Sequence, residues 1–372
     1  MFLLLILSGC DGKRISENYT GSGDTTKSVA YANGFSLTAN GANITVTVKN
    51  PWQHARDIEF SYFLSDTLKS SLRVDKNHWK IKTPVQKVIC LSTTHIGFIE
   101  FINKIETITG ISGKDYVVNA GLRNALSKNT IFDVGYDESL DFELILKLKP
   151  DVVFAYGISA SVTNTVNKLA ELGIPVILIG EYLEQDPLAK MEWIKVFAAC
   201  YGLDEQVSGR FDSVANSYNL LKELAGKSDN KPSVLLGLPW RGNWYISGSK
   251  SYMARLINDA GGNYIWNNLD FNESRPFGLE KIYENALTAD FWINPGEAQS
   301  IKDILSVDER FGALPAIKND RIYNNNNFVV SGGNAFFETG VAEPDIILSD
   351  LIAILHPQLL PSHKLKYYRK LQ

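Results

Sequence analysis

The chain is poor in the residues that build metal cages and disulfide frameworks. Among its 372 residues are three cysteines and five histidines. His54 and His78 fall in a β-patterned N-terminal region, and His356 and His363 near the C-terminus. His95 is left alone in the body, with no HxH pair or histidine-rich loop, so a bare zinc or manganese cage is not expected. Cys90 in "KVICLS" and Cys200 in "VFAACYG" read as small buried hydrophobes. Neither has neighbours enough for a metal site, and the sequence leaves their pairing open. Charge of one sign is also missing: 37 basic against 41 acidic residues give a formal net charge of −4. That provides no electrostatic reason to expect nucleic acid as a partner. No P-loop, GxSxG or HExxH occurs. "GSGD" lies in a polar stretch and "DAGGNY" follows a helical pattern instead of opening one, so neither is a dinucleotide fingerprint. Paired carboxylates for glycosidase chemistry cannot be picked out.

A long hydrophobic run is absent too, except at the front. "MFLLLILSGC" is too short to span a bilayer and reads as the apolar core and cleavage site of a secretory signal. No basic residue precedes it, so a true start further upstream is expected. "LSGC" resembles the lipobox of bacterial lipoproteins, implying acylation at Cys10 and a lipid anchor. The plainer alternative is a frayed apolar terminus. The expected layout is a signal peptide over 1–9, a flexible tether over 10–28 and a β-rich appendage over 29–82. An N-terminal α/β lobe over 83–203, a connecting helix over 204–228 and a C-terminal α/β lobe over 229–372 follow.

The periodicities carry this division. "GFSLTANGANITVTVKNP" gives two alternating runs around a turn, a hairpin signal, and "IEFSYFLS" reads as a further strand. From Thr83 onward, short apolar strands ("KVICLS", "DVVFAYG", "IPVILIG") alternate with helical stretches, the pattern of a parallel sheet covered on both faces. Thr93 and Thr94 are candidate caps of the first helix. From about Asp186 some 40 residues are helical without a strand. The strand–helix alternation then restarts at "KPSVLLGLP".

One unit is written twice. "LDFELILKLKPDVVFAYG" and "GLEKIYENALTADFWIN" each run from a glutamate through a short amphipathic helix and an acidic residue into an apolar strand. Together with "PVQKVICLSTTHIGFIEFI", "LAELGIPVILIG" and "YMARLINDAGGNYIW", and placed along most of 84–350 in the family's order, they resemble the substrate-binding proteins of ABC importers for ferric siderophores, haem and cobalamin. The resemblance implies an α/β fold of two lobes with mostly parallel sheets flanked by helices, joined by one long rigid helix. Here a small N-terminal β appendage, outside the family pattern, is added. It implies no catalysis, no cofactor and a monomer in the bacterial envelope, lipid-anchored on the periplasmic side. The ligand would be a metal chelate, a ferric siderophore foremost and cobalamin or haem as alternatives. A remote alternative is a lipid-anchored envelope hydrolase. The resemblance further implies that Glu143 and Glu280, one per lobe, dock on arginines of the permease that works with a separate ATPase. Each glutamate sits at a helix start, where the dipole favours a carboxylate, and both would equally serve as ordinary first-turn acids. The second unit has two more residues between its glutamate and its acidic residue than the first.

Open α/β sheets bind ligands beyond the carboxyl ends of their strands, and the loops there can be read off. They supply His95, Tyr136, Tyr156 and Tyr182 in the first lobe. In the second they supply Trp240, Arg241, Trp244, Tyr245, Arg275, Phe336, Phe337 and Glu338. So many aromatics where loops are usually polar fit a large planar ligand, although any one of them could be core. Arg241 and Arg275 would pair with acidic groups of the ligand. For His95 a capping or hydrogen-bonding role and a ligand contact, including an axial bond to a chelated metal, both stay open.

Overall fold

The computed structural model describes residues 25–136 and 139–372. The expected leader, the acylated Cys10 and most of the tether lie outside them. Alternation shapes the first layer. In Phe35–Asn40, Asn43–Lys49 and Glu59–Ser65 the apolar side chains fall on one face and are buried, as a half-buried strand requires. These three pair antiparallel in sequence, and Gly41 closes their first turn at φ 59°. Thr25–Lys27 adds an edge strand against Phe35–Asn40, so the ordered sheet starts inside the segment expected to be tether. His78–Lys82 joins parallel to Glu59–Ser65, and Leu72–Arg73 completes six strands.

The first lobe holds five parallel strands in the order Val176–Leu178, Val152–Ala155, Val88–Cys90, Ile108–Ile111, Phe132–Asp133. The three central strands are buried along their length, apart from half-buried Thr109. Helices Thr93–Phe101, Phe142–Leu148 and Val162–Glu171 connect and cover them. In the second lobe the order is Asn263–Tyr264, Ser233–Leu236, Phe291–Ile293, Ile322–Asn324, with Arg369–Lys370 antiparallel at the edge. A separate two-stranded hairpin, Asn243–Ser247 with Ser274–Gly278, lies outside that sheet. Cys90 and Cys200 are free and buried.

Between the lobes runs Asp204–Gly226, a 23-residue helix. The preceding helical stretch, read as one helix, is broken at fully buried Trp193 into Pro187–Glu192 and Ile194–Tyr201.

Two buried carboxylates fasten the appendage. Glu192 accepts hydrogen bonds from the backbone N–H groups of Ala30, Tyr31 and Ala32 at 2.9, 2.8 and 2.9 Å, and from Lys195 Nζ at 2.7 Å. Glu184 accepts from Asn33 and Gly34 N–H and from the Trp193 indole. Neither carboxylate stands out in sequence, because its backbone partners in the appendage lie 150 to 162 residues away.

Candidate functional site

A cavity of about 900 Å³ opens where the strand-end loops of both lobes converge. The first lobe contributes Leu91–Thr94 after its central strand, Ser112 and Tyr116 after Ile108–Ile111, Tyr136 after Phe132–Asp133 and Tyr156 after Val152–Ala155. From the second come Asn294 and Glu297 after Phe291–Ile293, Asn325 and Asn326 after Ile322–Asn324, and the Phe336–Phe337 pair. Lys190 enters from the helical link between lobes, and Tyr252 and Met253 from the start of Tyr252–Asp259. A further space of about 960 Å³ shares Leu91, Ser112, Tyr136 and Tyr156 with it and extends along the first lobe toward Lys168.

The lining is aromatic and amide-rich. Tyr116 and Tyr136 lie with ring centroids 5.8 Å apart, and Phe336 and Phe337 meet edge to face at 5.3 Å. Phe337 is 56% exposed and Tyr136 44%, so apolar rings stand open at the wall. Ser92, rather than Thr93 or Thr94, caps the first helix, accepting from Thr94 N–H at 3.3 Å. Thr94 Oγ1 in turn donates to buried Glu181 at 2.6 Å. Burial raises the Glu181 carboxyl above its usual range, against the opposing pull of Lys190 and the Thr94 hydrogen bond. Desolvation likewise holds the Lys190 ammonium below the ordinary lysine value, with Glu181 pulling it back up.

Of the residues singled out from sequence, Tyr136, Tyr156, Phe336 and Phe337 line the cavity. The others do not. His95 is fully buried, its ring within 6.4 Å of Phe154, Tyr156 and Phe197, and neither ring nitrogen makes a hydrogen bond. Burial pushes it down to about 3, opposed only by the nearby Phe154 backbone, so it is neutral packing beneath the wall. Tyr182 donates its hydroxyl to the Gly157 carbonyl at 2.7 Å and braces the loop after Val152–Ala155. Trp244 is core: strand alternation turns Trp244 and Ile246 inward and Asn243 and Tyr245 outward. Its ring stacks on Trp292, and its indole donates to Leu236 O at 3.0 Å. Trp240, Arg241, Tyr245 and Arg275 are exposed on or beside the hairpin, with Arg241 over Trp240 and Arg275 over Phe271, both at 4.3 Å. Glu338 is fully buried and accepts the Val118 and Asn119 N–H groups at 2.7 Å each, tying the second lobe to the first. Burial pushes its carboxyl up to about 7 despite those two hydrogen bonds.

The reading missed Lys190, Tyr116, Tyr252 and the asparagines. Lys190 and Tyr252 sit in helices, where a search of strand-end loops does not reach. Tyr116 ends a short helical turn, and the "NNNN" run of 324–327 was visible but unassigned.

Glu143 and Glu280 both lie exposed in the first turns of Phe142–Leu148 and Leu279–Ala286. They differ in company. Arg310 donates to both Glu280 oxygens at 3.0 and 2.9 Å while also gripping Asp308.

A model of the periplasmic binding protein family matches residues 88–326, from the central strand of the first lobe to the loop after Ile322–Asn324. An uncharacterized lipoprotein of Methanocaldococcus jannaschii is 28% identical over 308 residues, which is 80% of this chain and 72% of the relative. A possible iron-binding (periplasmic solute-binding) protein from Staphylococcus epidermidis shares the fold at TM-score 0.58 and 17% identity, over 74% of this chain and 100% of that one. The periplasmic heme binding protein HutB of Vibrio cholerae does so at TM-score 0.55 and 17% identity, over 71% and 98%. The matched span is the part of the chain whose two sheets end in the loops around the cavity, and with it the chain belongs to the periplasmic binding protein family.

Proposed function

We propose that this protein is the substrate-binding lipoprotein of an ABC importer: it captures a metal chelate between its lobes and hands it to the membrane permease without chemistry of its own. The observation that carries this reading is the 900 Å³ cavity walled by tyrosines, phenylalanines and amides from both lobes. A space of that size suits a bulky chelate rather than a bare ion. The iron and heme named for the two structural neighbours support a chelated metal as cargo. The lipoprotein named among the relatives supports acylation at Cys10 and an envelope location. Exposed Glu143 and Glu280 supply the docking carboxylates, since charged rim groups mainly set orientation and on-rate.

Ferric siderophores lead, and one observation favours a second reading. Arg241 and Arg275, which would have met an anionic chelate, lie outside the cavity lining. A chelate of low net charge, such as a corrinoid or a neutral ferric hydroxamate, is the better match to tyrosine and amide walls. Titration of the purified protein with ferric hydroxamate, ferric catecholate, haem and cyanocobalamin, followed by visible absorbance, tests this. Saturable binding of one is expected, and binding of none overturns the ligand claim.

A further inference from the structure

Lys190 stands alone on the cavity wall. Among the described lining residues it is the single cation, and Glu297 the single carboxylate. Its ammonium has no hydrogen-bonded or ion-paired partner among the described residues. The Tyr252 ring lies 5.1 Å from it, and Glu181 acts on it through space. Glu181 does not close the gap, for one of its oxygens is taken by Thr94 and the other is buried with no partner. Lys190 is half-buried, and an ammonium standing in a cleft without an acceptor of its own is placed to meet a ligand oxygen. Elsewhere on the wall, Ser92, Tyr156 and Tyr252 are neutral.

We propose that Lys190 is the residue that reads the ligand's charge, and that the cleft selects a chelate bearing one anionic oxygen group on an otherwise uncharged surface. This rests on the chelate reading above and narrows it. One accessible ammonium pairs one carboxylate or phosphate. Further anionic groups would face tyrosines, amides and Glu297, so polyanionic catecholates are excluded.

Two matched ligand pairs test the idea: N-acetyl against N-succinyl ferrioxamine B, and cyanocobalamin against its monocarboxylic acid. In each pair the second member adds one carboxylate. The wild-type protein is expected to bind the acid member about tenfold more tightly in the pair it accepts. Lys190→Met should erase that preference, read as the ratio of the two Kd values within the pair, and Lys190→Arg should retain part of it. An unchanged preference in Lys190→Met, or none in the wild type, overturns the proposal and leaves the chelate reading standing. Should no chelate bind, that reading falls, and benzoate and phenyl phosphate titrations followed by amide NMR decide on Lys190. Movement of the Thr94 and Lys190 signals in the wild type but not in Lys190→Met supports the assignment, and phenyl phosphate alone acting would point to a phosphate. No movement, or equal movement in both proteins, overturns it.

Discussion

His95 and Glu338 are buried titratable groups on opposite sides of the same lobe contact, and their pH dependences have opposite signs. The folded state holds His95 at about 3, against an ordinary 6.5. Between those values the unfolded chain binds more protons, so stability falls as pH drops from about 6.5 toward 3. Glu338 is held at about 7 against an ordinary 4.5, so the folded state binds more protons in that window. Its contribution is full below 4.5 and is lost as pH rises through about 7. His95→Leu removes two unsatisfied nitrogens and should gain about 1 kcal/mol near neutral pH, with a flatter acid limb in urea denaturation. Glu338→Gln should flatten the opposite limb, between weakly acid and neutral pH. Persistence of the slope in either variant would assign it to another group. Both residues were read from sequence as ligand contacts because they follow strands or flank aromatics. Nothing local showed that the chain would close over them.

At the scale of elements, close approach decides the lobe contact. A Cβ on Gly97 would lie 1.7 Å from the Glu338 carbonyl oxygen, so the Thr93–Phe101 and Ala335–Glu338 helices touch through bare backbone. Gly97→Ala should force them apart, costing about 3 kcal/mol and weakening ligand binding, since both elements carry cavity residues. Wild-type stability and affinity in that variant would show that the contact yields freely. The appendage depends on Glu192 in a similar way. Glu192→Gln leaves three N–H donors and Lys195 with a weaker acceptor, and about 3 kcal/mol of loss is expected. It should appear as faster amide exchange over residues 28–40 while the lobe sheets stay protected. Most elements were legible, because a strand or helix declares itself through periodicity. The helix break at Trp193 and the strand at Thr25–Lys27 were not, since each is set by partners distant in sequence.

For the whole molecule the question is how it meets a membrane partner. Reversing both Glu143 and Glu280 to lysine should abolish chelate uptake while ligand affinity stays unchanged. Loss of affinity with intact uptake would sink the docking assignment. The two sites should differ in single variants. Glu143 has no ion pair among the described residues, whereas Glu280 is already held by Arg310. Exposed pairs are worth about 0–1 kcal/mol, so Arg310→Ala should change docking rate less than threefold or so, measured on permease in nanodiscs.

The amino-acid order by itself determined the α/β class, the two lobes, the connecting helix and the duplicated unit with its two surface glutamates. These follow from spacing within single elements, which a sequence displays directly. Tertiary structure decided which aromatics line the cavity and which charged side chain stands in its wall. Strand alternation put Trp244 in the core beside exposed Tyr245, and packing carried Arg241 and Arg275 to the hairpin. It also brought Lys190, from a helix between the lobes, to the cavity wall. A side chain's direction relative to its own element is local, but what stands opposite it depends on chain far away, and that is where the cleft acquired its chemistry.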